Sequence, residues 1–158
     1  MDATQEKPKK SNLPKYAHEF FELINEADGL QKVEMMRKYG NNPPINFLLS
    51  MNFNKKVVFD LPEGMPPYKR SEDIHPDLFS PLGSQIKRMQ NCMKIPATAQ
   101  ISKMKKEFIF QQLLEVINPE EADVLVACKD RKLTELYPNI TEELVSVVHP
   151  HLIGVSAK

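Results

Sequence analysis

Glycine is scarce in this sequence. There are five in 158 residues, and no two lie close together. Backbone cradling of phosphates needs clustered glycines, and neither G-x-G-x-x-G nor a P-loop occurs. G-x-S-x-G and H-E-x-x-H are also absent, so no hydrolase or zincin signature is present. The two cysteines, Cys92 and Cys128, form no C-x-x-C and are too few for a disulfide scaffold, which suits a reducing compartment. No apolar run approaches the roughly 18–20 residues that span a bilayer. The polar start, Met1 to Pro14, has no apolar core of the kind a secretory leader carries. Net charge is lacking as well, with 21 basic and 21 acidic side chains, so the total favours no class of partner. These absences predict a soluble protein without cofactor, and leave catalysis without a visible motif.

What remains is helix. Apolar residues make up 41% of the chain, enough for one core at this length. Residues 1–12, with Lys7, Lys9, Lys10, Asp2 and Glu6, offer nothing to bury and predict a mobile tail. A first helix is expected from about Pro14, with Tyr16, Phe20, Leu23, Ile24 and Ala27 on one face. Leu30, Val33, Met36 and Tyr39 make a second stripe, stopped by Gly40. Asn42-Pro43-Pro44 opens a third over Ile45 to Phe53, because proline suits the first turn. Lys56 to Asp60 is β-branched and short, at most a lone strand running extended across the helices. Ser80-Pro81 reads as cap and first residue of a helix carrying Leu82, Ile86, Met89 and Met93. Ile101 to Ile117 follows, with Met104, Phe108, Leu113, Leu114 and Ile117 inward and Phe110 in addition. Asn118-Pro119-Glu120-Glu121 is the clearest helix start, its acids placed for the macrodipole, with Ala122, Leu125, Val126 and Cys128 buried. Thr141 caps the last helix, where Ile140 staples onto Val145, and Leu144, Val145 and Val148 form the stripe.

Pro62, Pro66, Pro67, Pro76 and Pro81 make residues 61–81 a semi-rigid loop over the surface. The expected fold is all-α: about six helices in one compact domain over residues 13–154, at most one short strand, and a tail at 155–158.

Charge is distributed unevenly along the chain. Leu78 to Lys106 holds six bases (Lys87, Arg88, Lys94, Lys103, Lys105 and Lys106) and no acid, while Glu107 to Glu143 holds nine acids and three bases. The strip is either a surface for nucleic-acid phosphates or a block that packs against the acidic one. It has no aromatics on which bases stack, which disfavours single strands. A helix-turn-helix built from the last two helices is unfavourable, since proline interrupts a long connection and acids lead the second helix. Two groups have metal-ligand chemistry, His149 with His151 and Asp73 with His75 and Asp77, and Cys92 or Cys128 could complete either in space. Their spacing fixes no site. Cys128, on an apolar face, reads as a small buried hydrophobe, and the eight methionines as core or as an adaptable surface.

Two strings are distinctive: Asp60-Leu61-Pro62-Glu63-Gly64-Met65-Pro66-Pro67-Tyr68, and the segment from Phe108 through Leu133 containing Ala122-Asp123-Val124-Leu125-Val126-Ala127-Cys128-Lys129-Asp130-Arg131-Lys132-Leu133. In these the chain resembles a family of small proteins encoded by T-even-like tailed phages, particularly those of marine cyanobacteria, over most of residues 16–150. The resemblance transfers no activity and no site residue; it implies a phage product made in the cytoplasm of the bacterial host. The expectation is a non-enzymatic accessory or adaptor protein binding a protein partner. The alternatives are a nucleic-acid-associated factor using the basic strip, and a virion or assembly component.

Overall fold

The computed structural model describes residues 16–39, 42–69 and 78–153. The tails at 1–12 and 155–158, Gly40, and the group Asp73, His75 and Asp77 lie outside the described residues. The α-helices are α1 Ala17–Glu26, α2 Gly29–Tyr39, α3 Pro43–Phe53, α4 Ile86–Asn91, α5 Lys103–Val116, α6 Pro119–Lys129, α7 Leu133–Leu136 and α8 Glu142–Val148. Short 3-10 turns cover Leu82–Gln85, Pro96–Thr98 and Pro150–Ile153. Among the described residues there is no sheet; the extended segment expected near Lys56–Asp60 makes one antiparallel bridge, Phe59 to Met93. The fold is all-α.

The caps explain where several helices start. Asn42 accepts from the Ile45 amide at 3.0 Å with proline at the first positions of α3, Asn118 accepts from Glu120 at 2.8 Å, and Thr141 accepts from Leu144 at 3.2 Å. Ile140 and Val145, on either side of that last cap, are both fully buried, as a staple requires. Ser80 does not cap. The chain turns at Pro81 into the 3-10 segment Leu82–Gln85, and α4 begins only at Ile86. The first helix of the described residues starts at Ala17, where Glu19 reaches back to the Tyr16 amide; the expected start at Pro14 lies outside the described residues.

α6 is the central element. It packs on α1, α3, α5 and α7, and Ala122, Val124, Leu125, Val126 and Cys128 are buried around most of its circumference. A helix apolar nearly all round belongs inside. Phe21, Ile24, Leu48, Leu49, Phe110, Leu113 and Leu114 fill the core beside it. The described methionines divide: Met36, Met51 and Met89 are fully buried, whereas Met104 is 80% exposed. Leu23 and Leu30 point outward, against expectation, because Phe20, Phe21 and Ile24 in α1 and Met36 in α2 supply the buried contacts.

Its C-terminus closes as a Schellman motif. The Lys132 amide donates to Ala127 O at 2.7 Å and the Arg131 amide to Cys128 O at 3.1 Å. Arg131 therefore takes the left-handed position (φ 61°) that glycine or asparagine usually occupies. Its guanidinium then crosses to α3, donating to the carbonyls of Met51, Asn52, Asn54 and Val57. The Met51 and Asn52 carbonyls are among the acceptors a helix end leaves without intrahelical partners, and those of Asn54 and Val57 lie just beyond it. Asn52 completes the joint by accepting from the Leu133 amide at 2.9 Å, where α7 begins.

Candidate interaction surface

The first half of the proline-rich segment is pinned onto α6 and α5. Pro62 O accepts from Lys129 Nζ at 2.8 Å, and the Gly64 amide donates to Asp130 Oδ2 at 2.9 Å. The Lys69 amide donates to Glu115 Oε2 at 3.2 Å, and Lys132 pairs with Glu63 at 3.0 Å. Gly64 has φ 93°, a conformation costly for any side chain, which lets its amide face Asp130. Lys129 is itself buried, held by Asp130 at 2.6 Å and lying 5.8 Å over the Phe110 ring. The two distinctive strings of the sequence thus meet in space and bind each other. A cleft of about 310 Å³ remains between them, walled by Val58, Phe59 and Leu61 and by Lys129, Asp130 and Arg131. The charges of those last three are already engaged with the strap and with α3.

The basic strip does not survive as one face. Lys106 is 2% exposed, and its ammonium meets Asp60 Oδ2 at 3.2 Å and Met93 O at 3.1 Å. It cannot reach a phosphate, because helical spacing sets it on the side of α5 that carries Phe110, Leu113 and Ile117. Lys103 leans to the same carboxylate at 3.7 Å. Arg88 bonds Gln85 at 3.1 Å and touches Gln112 of α5 at 3.5 Å. Lys87, Lys94 and Lys105 are exposed. Nor do Lys103 and Lys106 pair with the acidic block 107–143: their acid is Asp60, in the extended segment between the two helical halves.

The outer face of α5 is the unexpected feature. Met104 and Phe108, expected inside, are 80% and 57% exposed, and Val116, 36% exposed, stands further round the helix toward Lys105. α5 carries apolar residues on two opposite faces, and the larger set, Phe110, Leu113, Leu114 and Ile117, takes the core. Met104, Phe108 and Gln112 fall one turn apart along the outside, with Lys105 beside them and Arg88 reaching in from α4.

The other candidates resolve into packing. Glu121, expected to serve only the macrodipole, is 3% exposed and accepts the Ala17 amide at 2.8 Å, capping α1 from α6. Burial pushes its carboxyl up to about 7, the Ala17 amide counteracts this, and Glu19 adds to the rise. Glu120 pairs with buried His18 at 2.9 Å. His149 is buried, which lowers its pKa; its ring bonds the Met36 backbone, and the exposed His151 ring lies 5.8 Å away. Among the described residues no three His, Cys, Asp or Glu gather as metal ligands. Cys92 and Cys128 are separately buried, and burial raises both thiols, Cys92 to about 11. No helix among the described residues is long and apolar enough to cross a membrane.

The chain matches a family of unknown function, DUF6433, over residues 21–135, and belongs to it. That span contains both distinctive strings and the whole of α5. No curated protein and no solved structure matches the chain.

Proposed function

We propose that this DUF6433 member is a non-enzymatic accessory protein that docks a protein partner on the outer face of α5. One observation carries the proposal: Met104 and Phe108 stand exposed one turn apart on a helix whose opposite face already supplies the core. Burying either side chain under a partner is worth roughly 1.5–3 kcal/mol. The polar clusters of the fold support a non-catalytic role, since Lys106–Asp60, Lys129–Asp130, Arg131 and His18–Glu120 hold elements together. The resemblance of the two strings to tailed-phage proteins favours a phage origin, action in the cytoplasm of the bacterial host, and a partner there.

Capture from phage-infected host lysate tests the reading. The wild type should retain a protein that Met104→Asp and Phe108→Asp lose, with nuclease treatment making no difference. Equal capture by wild type and both variants would overturn it.

A second reading, nucleic-acid association, rests on Lys87, Lys94 and Lys105, which are exposed and have no acid between residues 78 and 106. It predicts a mobility shift at low salt that Lys87→Glu with Lys105→Glu abolishes, with a log–log salt slope of about −0.9 per duplex phosphate contacted.

A further inference from the structure

Resting on the docking face proposed above, we infer that the partner presents an acidic amphipathic helix, laid along Met104, Phe108 and Gln112 with its carboxylates beside Lys105, Arg88 and Lys87. The shape comes first. On the outside of α5 the side chains stand one turn apart, and such a ridge is matched by a second helix whose ridges fill the gaps. The apolar centre is small, two large side chains and the edge of Val116, so the rim must contribute to selecting the partner.

That rim is basic. Lys105 is exposed on α5, Lys87 is exposed on α4, and the Arg88 guanidinium reaches Gln112 at 3.5 Å. Of the carboxylates of α5, half-buried Glu107 falls by helical spacing on the Lys103 flank, and Glu115, which accepts the Lys69 amide, stands ten residues along the helix from Lys105. Complementary charge around an apolar centre raises the encounter rate and rejects wrong partners. A second copy of the chain fits poorly, because a two-fold contact sets this basic rim against itself. A duplex fits poorly too, since Met104 and Phe108 at the middle of the face would meet phosphate.

Three synthetic 14-residue peptides probe this on the full chain. The first is helix-forming, with an apolar residue every third or fourth position and Asp and Glu elsewhere. The second has the same composition in scrambled order, and the third has Lys in place of the acids. Fluorescence anisotropy should show the first binding at least tenfold more tightly than either control. Amide shifts should concentrate at residues 104–112 and at Arg88. Phe108→Ser should weaken it at least fivefold, and Lys87→Glu with Lys105→Glu at least tenfold, while Val147→Ser, an exposed apolar change elsewhere, leaves it unaltered. Equal binding of the ordered and scrambled acidic peptides, preference for the basic one, tighter binding of a duplex oligonucleotide, or dimerisation that Phe108→Ser abolishes would each overturn the inference. A lysate protein lost on Phe108→Asp but kept on the double charge reversal at low salt, where charge is least screened, would leave the docking face standing and remove the acidic helix alone.

Discussion

Glu121 shows how much one side chain can hold. It begins α6, caps α1, and is buried with its carboxyl raised to about 7 from 4.5. A group whose pKa is raised on folding favours the folded state while both states are protonated, below pH 4.5. That contribution is lost as pH rises from there through about 7, by on the order of 3 kcal/mol. Glu121→Gln keeps the acceptor for Ala17 and removes the charge. Its stability relative to wild type in urea should therefore climb between about pH 5 and pH 8; a difference independent of pH would show that the carboxyl titrates normally. Lys106 obeys a different balance. Asp60→Ala strands a buried ammonium and should cost about 3–5 kcal/mol, whereas Lys106→Met, which removes the charge with the partner's need for it, should cost far less. Thermal unfolding that ranks these two variants the other way round would contradict the buried pair. At Asn118, whose cap the structure retains, alanine should cost about 0.5–2 kcal/mol. The caps at Asn42, Asn118 and Thr141 were legible in the sequence because each is decided within four residues, whereas Ser80, equally plausible locally, does not cap. The inward turn of Lys106 and Glu121 was not legible, since their partners, Asp60 and Ala17, lie 46 and 104 residues away.

Among the elements, the end of α6 is the instructive case. Arg131 adopts a conformation that costs an L-residue roughly 1–2 kcal/mol, and recovers it through bonds to four carbonyls. Arg131→Gly relieves the backbone but loses the guanidinium, and Arg131→Ala loses the guanidinium while keeping the strain. Both should destabilise, alanine by about 1 kcal/mol more than glycine; equal losses would mean the backbone position is unstrained. The same helix end protects the proline-rich strap. From composition the segment 61–81 reads as a solvated loop with little to resist a protease, but residues 62–69 are held by Lys129, Asp130, Glu115 and Lys132. Limited proteolysis should spare Pro62 to Lys69 in the wild type and cut there in Asp130→Ala. Cutting of both at equal rates would show that the strap is not anchored. Proline content signalled the extended path, and nothing local to it signalled the anchors. α5 was half legible for a related reason: it is apolar on two sides, and periodicity alone does not say which side the rest of the chain will cover.

At the scale of the whole molecule, the all-α class follows from helical periodicity and proline punctuation, and a helix-dominated circular dichroism spectrum is expected. The packing partners follow from neither. Phe110→Ala should cost about 3–5 kcal/mol, while Phe108→Ala, two residues away on the outer face, should cost under about 1 kcal/mol; equal losses would place Phe108 in the core. The Ala17–Glu121 contact has a temporal side as well. The first helix of the described chain is finished at its N-terminus by a residue 104 positions later. At roughly 5–20 residues per second, a ribosome needs about 5–20 s to make the intervening chain, and longer before Glu121 clears the exit tunnel. Through that interval Phe20, Phe21 and Ile24 have no α6 to bury against. A nascent chain stalled short of Glu121 should leave them open to chaperones, and release of α6 should withdraw them in one step.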